Sequence, residues 1–370
     1  MAQLLHLWKP LKSRLQLRRD RLRRYIGRLL FDRPKPKHAE NDVRNIVMVR
    51  WDTKLGDAFV SSWFFRELKK QYPAIHISVI TTPAMAWLFR DYFGADVVYE
   101  TAKRPGYLML YRLARKIGHT DLLVHFGQHL KLKDLFFLWL LKNNHIAGLD
   151  DEISLVDMKL GYSTKALHFR EKFGLLATRL GISSPDTTYI IPSLPACEAN
   201  VDAFWPALRP VICFNPYGSG GSRRLRAESI EKIVSFLASK FPDVGCCLLY
   251  APDDRKEVEK ISSKFPSTVF FYKDSTHIGD VIAQMRRSMA VLSVDTSTVH
   301  IANGLTKPLF AMYNEGPKNF TEWGPNGSSD HVIFAAAAYP PDINLISFEQ
   351  FEKEFVPWFS AIFTPSLRRV

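Results

Sequence analysis

The sequence predicts an α/β protein made of two parallel-sheet halves. Three observations carry this. From about residue 44 onward, short apolar runs alternate with segments of helical apolar spacing, the pattern of strands joined by crossover helices. The alternation breaks at a proline-marked stretch, Pro185, Pro192 and Pro195, and then restarts. The chain has 370 residues, too many for one ordinary core. We therefore expect an arm and linker over 1–40, a first domain over 41–195, a second over 196–345 and a terminal helical segment over 346–370.

Composition narrows the class. At 46% hydrophobic and 24% charged, the chain can bury a core, which excludes a disordered protein. Net charge is +13, so acidic partners are expected. Residues 1–40 hold 12 Lys/Arg and 3 acids, a balance of +9, which leaves +4 for the rest. The basic character is concentrated in the arm. There Leu4, Trp8, Leu11, Leu15, Leu22, Ile26 and Leu29 recur at helical spacing among arginines and lysines. This is a basic amphipathic helix suited to an anionic membrane surface through residues 4–31. Packing of the leucines on the protein itself is the alternative. Nucleic acid is not expected as a partner, since no reader motif accompanies the charge. No signal peptide and no membrane span are expected, for want of a continuous apolar stretch. The cysteines Cys197, Cys213, Cys246 and Cys247 form no C-x-x-C and read as reduced core residues.

The first half opens with the strand NIVMV, a charged loop containing Gly56 and Asp57, and a helix over 58–71. HISVIT is the next strand, then the segment PAMAWLFRDYF, the strand ADVVYE and a helix over 106–117. The strand DLLVHFG and the segment KLKDLFFLWLLKN follow, and 167–181 reads as a helix ending at Gly181. The proline stretch reads as an irregular interdomain region. In the second half, VICFNPYG enters a glycine-rich loop and a helix over 227–240. GCCLLYA, TVFFY, AVLSV and PLFAMY are further strands, with helices between them. Ser347-Phe348-Glu349-Gln350 is a capping box, opening a helix that bears Phe351, Phe355, Trp358 and Phe359. That helix is expected to cross back to the first half.

Three segments carry chemistry. In open α/β sheets, ligands sit beyond the carboxyl ends of the strands, and a cleft between two such domains is the default site. The loop Gly218-Ser219-Gly220-Gly221-Ser222-Arg223-Arg224 precedes a helix. Glycine backbone, helix start and two arginines together suit a phosphate or diphosphate. In Asp295-Thr296-Ser297-Thr298, helix-start N–H groups and hydroxyls offer a second phosphate site, although Asp295 is also an ordinary cap residue. His300 reads as a buried, hydrogen-bonded residue. The loop VRWDTKLGD puts two aspartates, Asp52 and Asp57, where a nucleotide-binding turn would place glycines.

These residues resemble glycosyltransferase family 9, the lipopolysaccharide heptosyltransferases, from about residue 44 to 365. VRWDTKLGDAFVSS with FFRELKKQYP resembles the family's V-R-x-D-x-x-G-D start. NPYGSGGSRR and SVDTSTVHIANGLTKPLFAMY resemble its second and third blocks. The resemblance implies a GT-B fold, two Rossmann-like domains facing a cleft, and inverting transfer of heptose from ADP-heptose to the lipopolysaccharide inner core. It implies that Asp57 is the general base and that Arg223 meets the donor diphosphate. Asp295, Thr296 and Thr298 would line the donor site, with Asn215, Gly218, Ser219, Arg224, Ser297 and His300 around them. Arg50, Asp52, Lys54 and Gly56 are the expected acceptor set. Two departures stand out: Ser297 replaces the family's glycine, and Leu225-Arg226 replaces Trp-Pro.

Inverting transfer needs a carboxylate to take the acceptor proton, and a helix start is a favourable place for that negative charge. Gly56 is expected to let the backbone turn and to give substrate room. Without D-x-D, no metal and no cofactor are expected. The acceptor implied is a lipid, so the protein is expected to be peripheral on the cytoplasmic face of the inner membrane. A different nucleotide-sugar donor and an inactive membrane-associated relative are the competing readings. A nicotinamide-linked enzyme is not expected, because G-x-G-x-x-G is missing.

Overall fold

The structure, a computed structural model, describes residues 2–35, 43–206 and 209–367, without the side chains of 2–14, 317–318 and 364–367. Leu4, Trp8 and Leu11 of the expected membrane-facing stripe thus have side chains outside the described residues. So do the chain positions 36–42, in the linker and at the start of the first expected domain, and 368–370 at the chain's end.

Among the described residues, twelve strands form two parallel sheets of six. β1 (Asn45–Arg50), β2 (His76–Thr81), β3 (Val97–Glu100), β4 (His119–His125), β5 (Lys142–Gly148) and β6 (Met158–Lys159) take the order β3-β2-β1-β4-β5-β6. β7 (Val211–Asn215), β8 (Gly245–Leu248), β9 (Val269–Phe270), β10 (Ala290–Val294), β11 (Leu309–Tyr313) and β12 (Asp330–Phe334) take the order β12-β11-β10-β7-β8-β9. The two windings are the same, counted from each half's first strand. The central strands are buried nearly end to end, as parallel strands covered on both faces must be.

Among the described residues, thirteen α-helices accompany them: α1 (Ala2–Phe31), α2 (Leu55–Gln71), α3 (Pro83–Trp87), α4 (Tyr107–Ile117), α5 (Leu132–Leu140), α6 (Phe169–Arg179) and α7 (Pro195–Phe204) come first. α8 (Ala227–Lys240), α9 (Arg255–Ser262), α10 (Ile278–Arg287), α11 (Ser297–Gly304), α12 (Pro317–Trp323) and α13 (Phe348–Leu367) follow. No described helix is long and apolar enough to cross a membrane.

The chain divides into two compact units, Met1–Thr53 with Phe64–Thr187 and Lys54–Trp63 with Thr188–Val370. The expected boundary at 195/196 thus falls at 187/188. The first turns of α2, expected in the first domain, count with the second. The contacts of Gly56, Lys54 and Ser62 described below are the reason.

Several elements were hidden in the sequence. β5 begins Lys-Asn-Asn-His, which breaks the apolar run of a strand; Asn143 accepts from Lys35 Nζ (2.6 Å) and His145 Nδ1 bonds Asp157 (2.6 Å). β12 lies at a sheet edge and starts with Asp330 and His331. The proline stretch is irregular up to Leu194, and α7 starts on Pro195, where a missing N–H costs nothing. α13 counts with the second unit. It packs Phe351, Phe355 and Phe359 at four-residue spacing into the second unit's core, against Phe236, Phe241 and Phe310. Of the capping box, the Gln350 N–H does donate to Ser347 Oγ (3.1 Å), but the Gln350 side chain donates to Phe334 O instead.

α1 packs on α5 through a stripe that leucine periodicity does not mark. Asp20, Arg24, Gly27 and Phe31 face inward. Asp20 pairs with Lys131 (2.8 Å), and Phe31 lies edge-on to Phe136 at 5.4 Å. Arg24 makes a two-pronged bond to the carboxylate of Asp150, whose side chain is 3% exposed, and also donates to Leu130 O (3.0 Å). That bond raises the affinity of the Arg24 guanidinium for its proton. Gly27 permits the approach, since a Cβ there would lie 2.9 Å from Leu132 Cα. Gly27→Val should therefore cost about 1–3 kcal/mol of stability, read as a lowered urea midpoint. An unchanged midpoint would show that α1 is not held there.

Candidate functional site

β7 and β10 are neighbours whose crossovers run in opposite directions, so their exit loops diverge at the carboxyl edge of the second sheet. This is the switch point at which such sheets bind ligands. The glycine-rich loop leaves β7 there and folds back on itself. The Gly218 N–H donates to Arg223 O (3.0 Å), and Leu225 N–H donates to Pro216 O (3.0 Å). A Cβ on Gly218 would sit 2.4 Å from Arg223 O, and Gly220 holds a φ of +98°. Only glycine fits both conditions without strain.

This fold of the loop sends its two arginines apart. Arg223 Nη1 donates to Asp295 Oδ2 (3.2 Å), while Nη2 donates to the backbone O and Oγ of Ser219 (3.0 and 2.9 Å). Arg224 turns away, stacks over Tyr217 at 4.4 Å and pairs with Asp254 (2.6 Å). Its bond to Asp254 raises the guanidinium's proton affinity, and burial raises the Tyr217 hydroxyl. At the start of α8, the N–H of the cap residue Arg226 donates to Asn344 Oδ1 (2.8 Å).

Asp295 closes β10. Thr296, not Asp295, is the cap residue of α11, and it makes no side-chain cap bond. The Asp295 carboxylate is instead shared by Arg223 and Asn319 Nδ2 (3.1 Å). Ser297 opens α11. Thr298 is buried and satisfied, accepting from Asn215 Nδ2 (2.9 Å) and sharing a hydrogen bond with Ser293 Oγ (2.6 Å). Asn215 also accepts from Tyr217 N–H (3.1 Å). Asn215 and Thr298 therefore lock the two loops together.

α2 starts a turn earlier than its apolar pattern suggests, at Leu55. Gly56 and Asp57 are accordingly helical, and Gly56 is not a turn residue. Its missing side chain is filled by His300, whose Cδ2 would lie 2.6 Å from an added Cβ, with Ser297 Cα at 3.5 Å. His300 is buried between Tyr189 and Trp323, each 6.4 Å away between ring centres. Asp57 stands in the first turn of α2, 3.7 Å from Lys54 Nζ, with its side chain 17% exposed. Lys54 lies over Trp323 at 5.7 Å, and Ser62 Oγ accepts from Ile190 N–H (2.7 Å). The turn bearing Asp57 is thus built onto the helix that follows Asp295.

In the first unit, Arg50 ends β1 with its side chain buried and its Nε 3.7 Å from Asp52. Arg50 Nε and Nη2 are buried and make no hydrogen bond among the described residues.

Sequence reasoning missed Tyr313, Asn314, Asn319 and Trp323. Asn314 Nδ2 donates to Ser222 O (2.7 Å) and so holds the glycine-rich loop. The Tyr313 hydroxyl, raised by burial and by Asp295, has no hydrogen-bond partner among the described residues. The only available signal was their position, since YNEGPKNFTEW leaves the carboxyl end of β11. Among the described residues, no three His, Cys, Asp or Glu side chains converge as a metal site would.

A family model described as glycosyltransferase family 9 (heptosyltransferase) matches residues 110–345. The chain belongs to glycosyltransferase family 9. No curated protein matches it by sequence. Among solved structures it is similar to a family 9 glycosyl transferase from Veillonella parvula, at 17% identity and TM-score 0.71, over 87% of this chain and 99% of that one. It is also similar to E. coli ADP-heptose lipopolysaccharide heptosyltransferase II, at 16% identity and TM-score 0.65, over 84% and 98% of the two chains. E. coli heptosyltransferase WaaC with ADP matches at 15% identity and TM-score 0.64, over 85% and 99%. This family 9 glycosyltransferase therefore has the GT-B fold.

Gly56→Ala in this glycosyltransferase should displace His300 or tilt the turn carrying Asp57. With Asp57 a reacting group, as proposed below, a displacement of about 1 Å costs on the order of a hundredfold in rate. Transfer should drop by that order while thermal unfolding stays cooperative. A full-rate alanine variant would show that the Gly56–His300 contact does not position the turn.

Proposed function

We propose that this glycosyltransferase moves heptose from ADP-heptose onto the inner core of lipopolysaccharide, at a Kdo or heptose residue, with inversion at the anomeric carbon. One observation carries the reading. The helical turn bearing Asp57 packs on Ser297 and His300, within one turn of the Asp295 that holds Arg223. A carboxylate and an anion-binding arginine thereby belong to the same packed assembly. The E. coli relatives described as using ADP-heptose or holding ADP support a nucleotide-sugar donor.

In this reading, Asp57 takes the proton of the acceptor hydroxyl as that oxygen forms its bond to the anomeric carbon. The bond from that carbon to the diphosphate oxygen breaks, and ADP leaves with the electron pair. Arg223 stabilises the charge developing on the leaving diphosphate. Asp295, as an anion, would repel a phosphate. Its bonds to Arg223 and Asn319 make it the residue that positions the arginine. Thr296 and Ser297 offer hydroxyls at the start of α11, whereas Asn215 and Thr298 act by holding the loops. Arg224 supports the loop from its far side. No metal is needed, because Arg223 supplies the positive charge.

The acceptor falls to Arg50, Asp52, Lys54 and Gly56 in this proposal, with Gly56 acting through His300. A buried guanidinium with unused donors is prepared for an anion, and the inner core supplies carboxylates and phosphates. The protein would work as a peripheral protein on the cytoplasmic face of the inner membrane, with residues 4–31 on the lipid. Another nucleotide sugar in the same site is the second reading. Ser297, where the family pattern has glycine, is the observation that favours it.

The decisive assay offers ADP-heptose and heptose-deficient lipopolysaccharide in EDTA and weighs the product. A gain of one heptose is expected, and no gain from this donor alongside a gain from another nucleotide sugar would select the second reading. Asp57→Asn should lower turnover by about 10²–10⁴-fold while calorimetric nucleotide affinity stays unchanged; near-normal turnover would remove Asp57 as the base. Arg50→Gln should raise KM for the acidic acceptor about tenfold or more, the scale of one charge-assisted hydrogen bond, with little change in kcat. An unaltered KM would remove Arg50 from the acceptor site.

A further inference from the structure

The large apolar side chains exposed on this protein are concentrated in one layer of the first unit. Leu15, Leu17, Leu22, Tyr25, Leu29 and Leu30 lie on α1; Tyr107, Leu108, Met109 and Tyr111 on α4; and Trp139 on α5. Only a few others are found elsewhere among the described residues, scattered singly. α4 already buries Leu110, Leu113 and Ala114 against its sheet, so its outward Leu108 (62% exposed) and Tyr111 (44%) are surplus to folding. Leu108 thus stands on an otherwise basic outward face, beside Arg112 and Arg115, an arrangement suited to an anionic interface.

The three helices touch through aromatic side chains. Tyr107 of α4 meets Phe136 of α5 at 5.2 Å, and Phe31 of α1 meets both Phe136 and Trp139 at 5.4 Å. The charge follows the same three helices. Residues 1–35 carry +9 and residues 103–142 carry +6, so the remaining residues sum to −2. The arginines flank the apolar side chains: Arg112 and Arg115 are exposed on α4, and Arg21, Arg28 and Tyr25 line an open groove on α1.

We propose that α1, α4 and α5 together form one docking face for an anionic lipid bilayer, with Tyr107, Leu108, Tyr111 and Trp139 entering the interface beside the leucines of α1. Tyrosine and tryptophan settle at the headgroup level, leucine enters the acyl boundary, and flanking arginines meet lipid phosphates. The proposal deepens the peripheral-membrane part of the function proposed above, replacing a single arm by a three-helix face. It has a geometric consequence. α4 and α5 start at the carboxyl ends of β3 and β4, so Tyr107 and Leu108 stand at the same sheet edge as Arg50 and Asp52. Docking through this face holds that edge at the membrane surface, where a lipid-linked acidic acceptor is presented without leaving the bilayer.

Sedimentation of the full chain with phosphatidylethanolamine–phosphatidylglycerol vesicles tests this, and it needs no donor or acceptor. The chain should bind these vesicles and not phosphatidylcholine, and binding should weaken as salt rises. L108E with Y111E, which leaves α1 intact, should lower vesicle affinity at least tenfold. Its thermal unfolding and its transfer to delipidated acceptor should stay at wild-type levels. R112E with R115E should lose affinity mainly at low salt. Wild-type vesicle binding by both double variants would overturn the proposal. So would a chain that ignores vesicles but forms a dimer that L108E/Y111E dissolves, since the face would then bind a second copy. If transfer of heptose fails while vesicle binding behaves as expected, the enzymatic reading falls and the docking face stands.

Discussion

An arginine and an aspartate from different loops can meet only if the strands carrying those loops are neighbours. In the second unit β7 and β10 are paired, with Asn215 opposite Ser293, and their chains depart in opposite directions. Arg223 and Asp295 bridge the resulting gap at 3.2 Å. The loop around Arg223 depends on this bridge and on glycine at 218 and 220, and the start of α11 depends on Asn215 and Ser293 holding Thr298. Partly buried pairs of this kind add little net stability, because desolvation offsets attraction. Their effect is to fix geometry. Here they fix an arginine whose Nη2 donates to Ser219.

Gly56 extends that constraint to the carboxylate. A conventional reading makes glycine beside an aspartate a hinge or a turn. In this chain it is a helical residue whose lack of a side chain accommodates a histidine ring. The consequence is that the first turns of α2 belong to the second unit, although the rest of the helix belongs to the first. A residue proposed to touch the acceptor is thereby held by the elements proposed to bind the donor.

α1 shows the same division of labour on a larger scale. Its inward face is a narrow stripe of one acid, one arginine, one glycine and one phenylalanine. The Arg24–Asp150 contact is nearly dry on the aspartate side, so removing either partner would strand a buried charge. Leu15, Leu22 and Leu29 of its apolar periodicity are exposed instead, as is Leu108 of α4. Fold and surface thus read the same helix on different sides.

The sequence by itself determined the two parallel halves and most of their strands, because continuous burial leaves an apolar run that neighbours cannot disguise. It also determined the family-like loops, since VRWDTKLGD, NPYGSGGSRR and SVDTSTVH each follow such a run. Tertiary structure decided what periodicity cannot carry. β5 and β12 are written in polar residues because their side chains are satisfied by distant partners, Lys35 for Asn143 and Asn303 for Asp330. Arg223 and Arg224 are adjacent and chemically alike, yet only the folded loop sends one to Asp295 and the other to Asp254. Asp295 looked like a cap until Asn319 and Arg223 claimed its carboxylate. In each case a local pattern specifies which way a residue points along its own element. The partner it meets comes from another part of the chain, and that is set only when the sheets are wound.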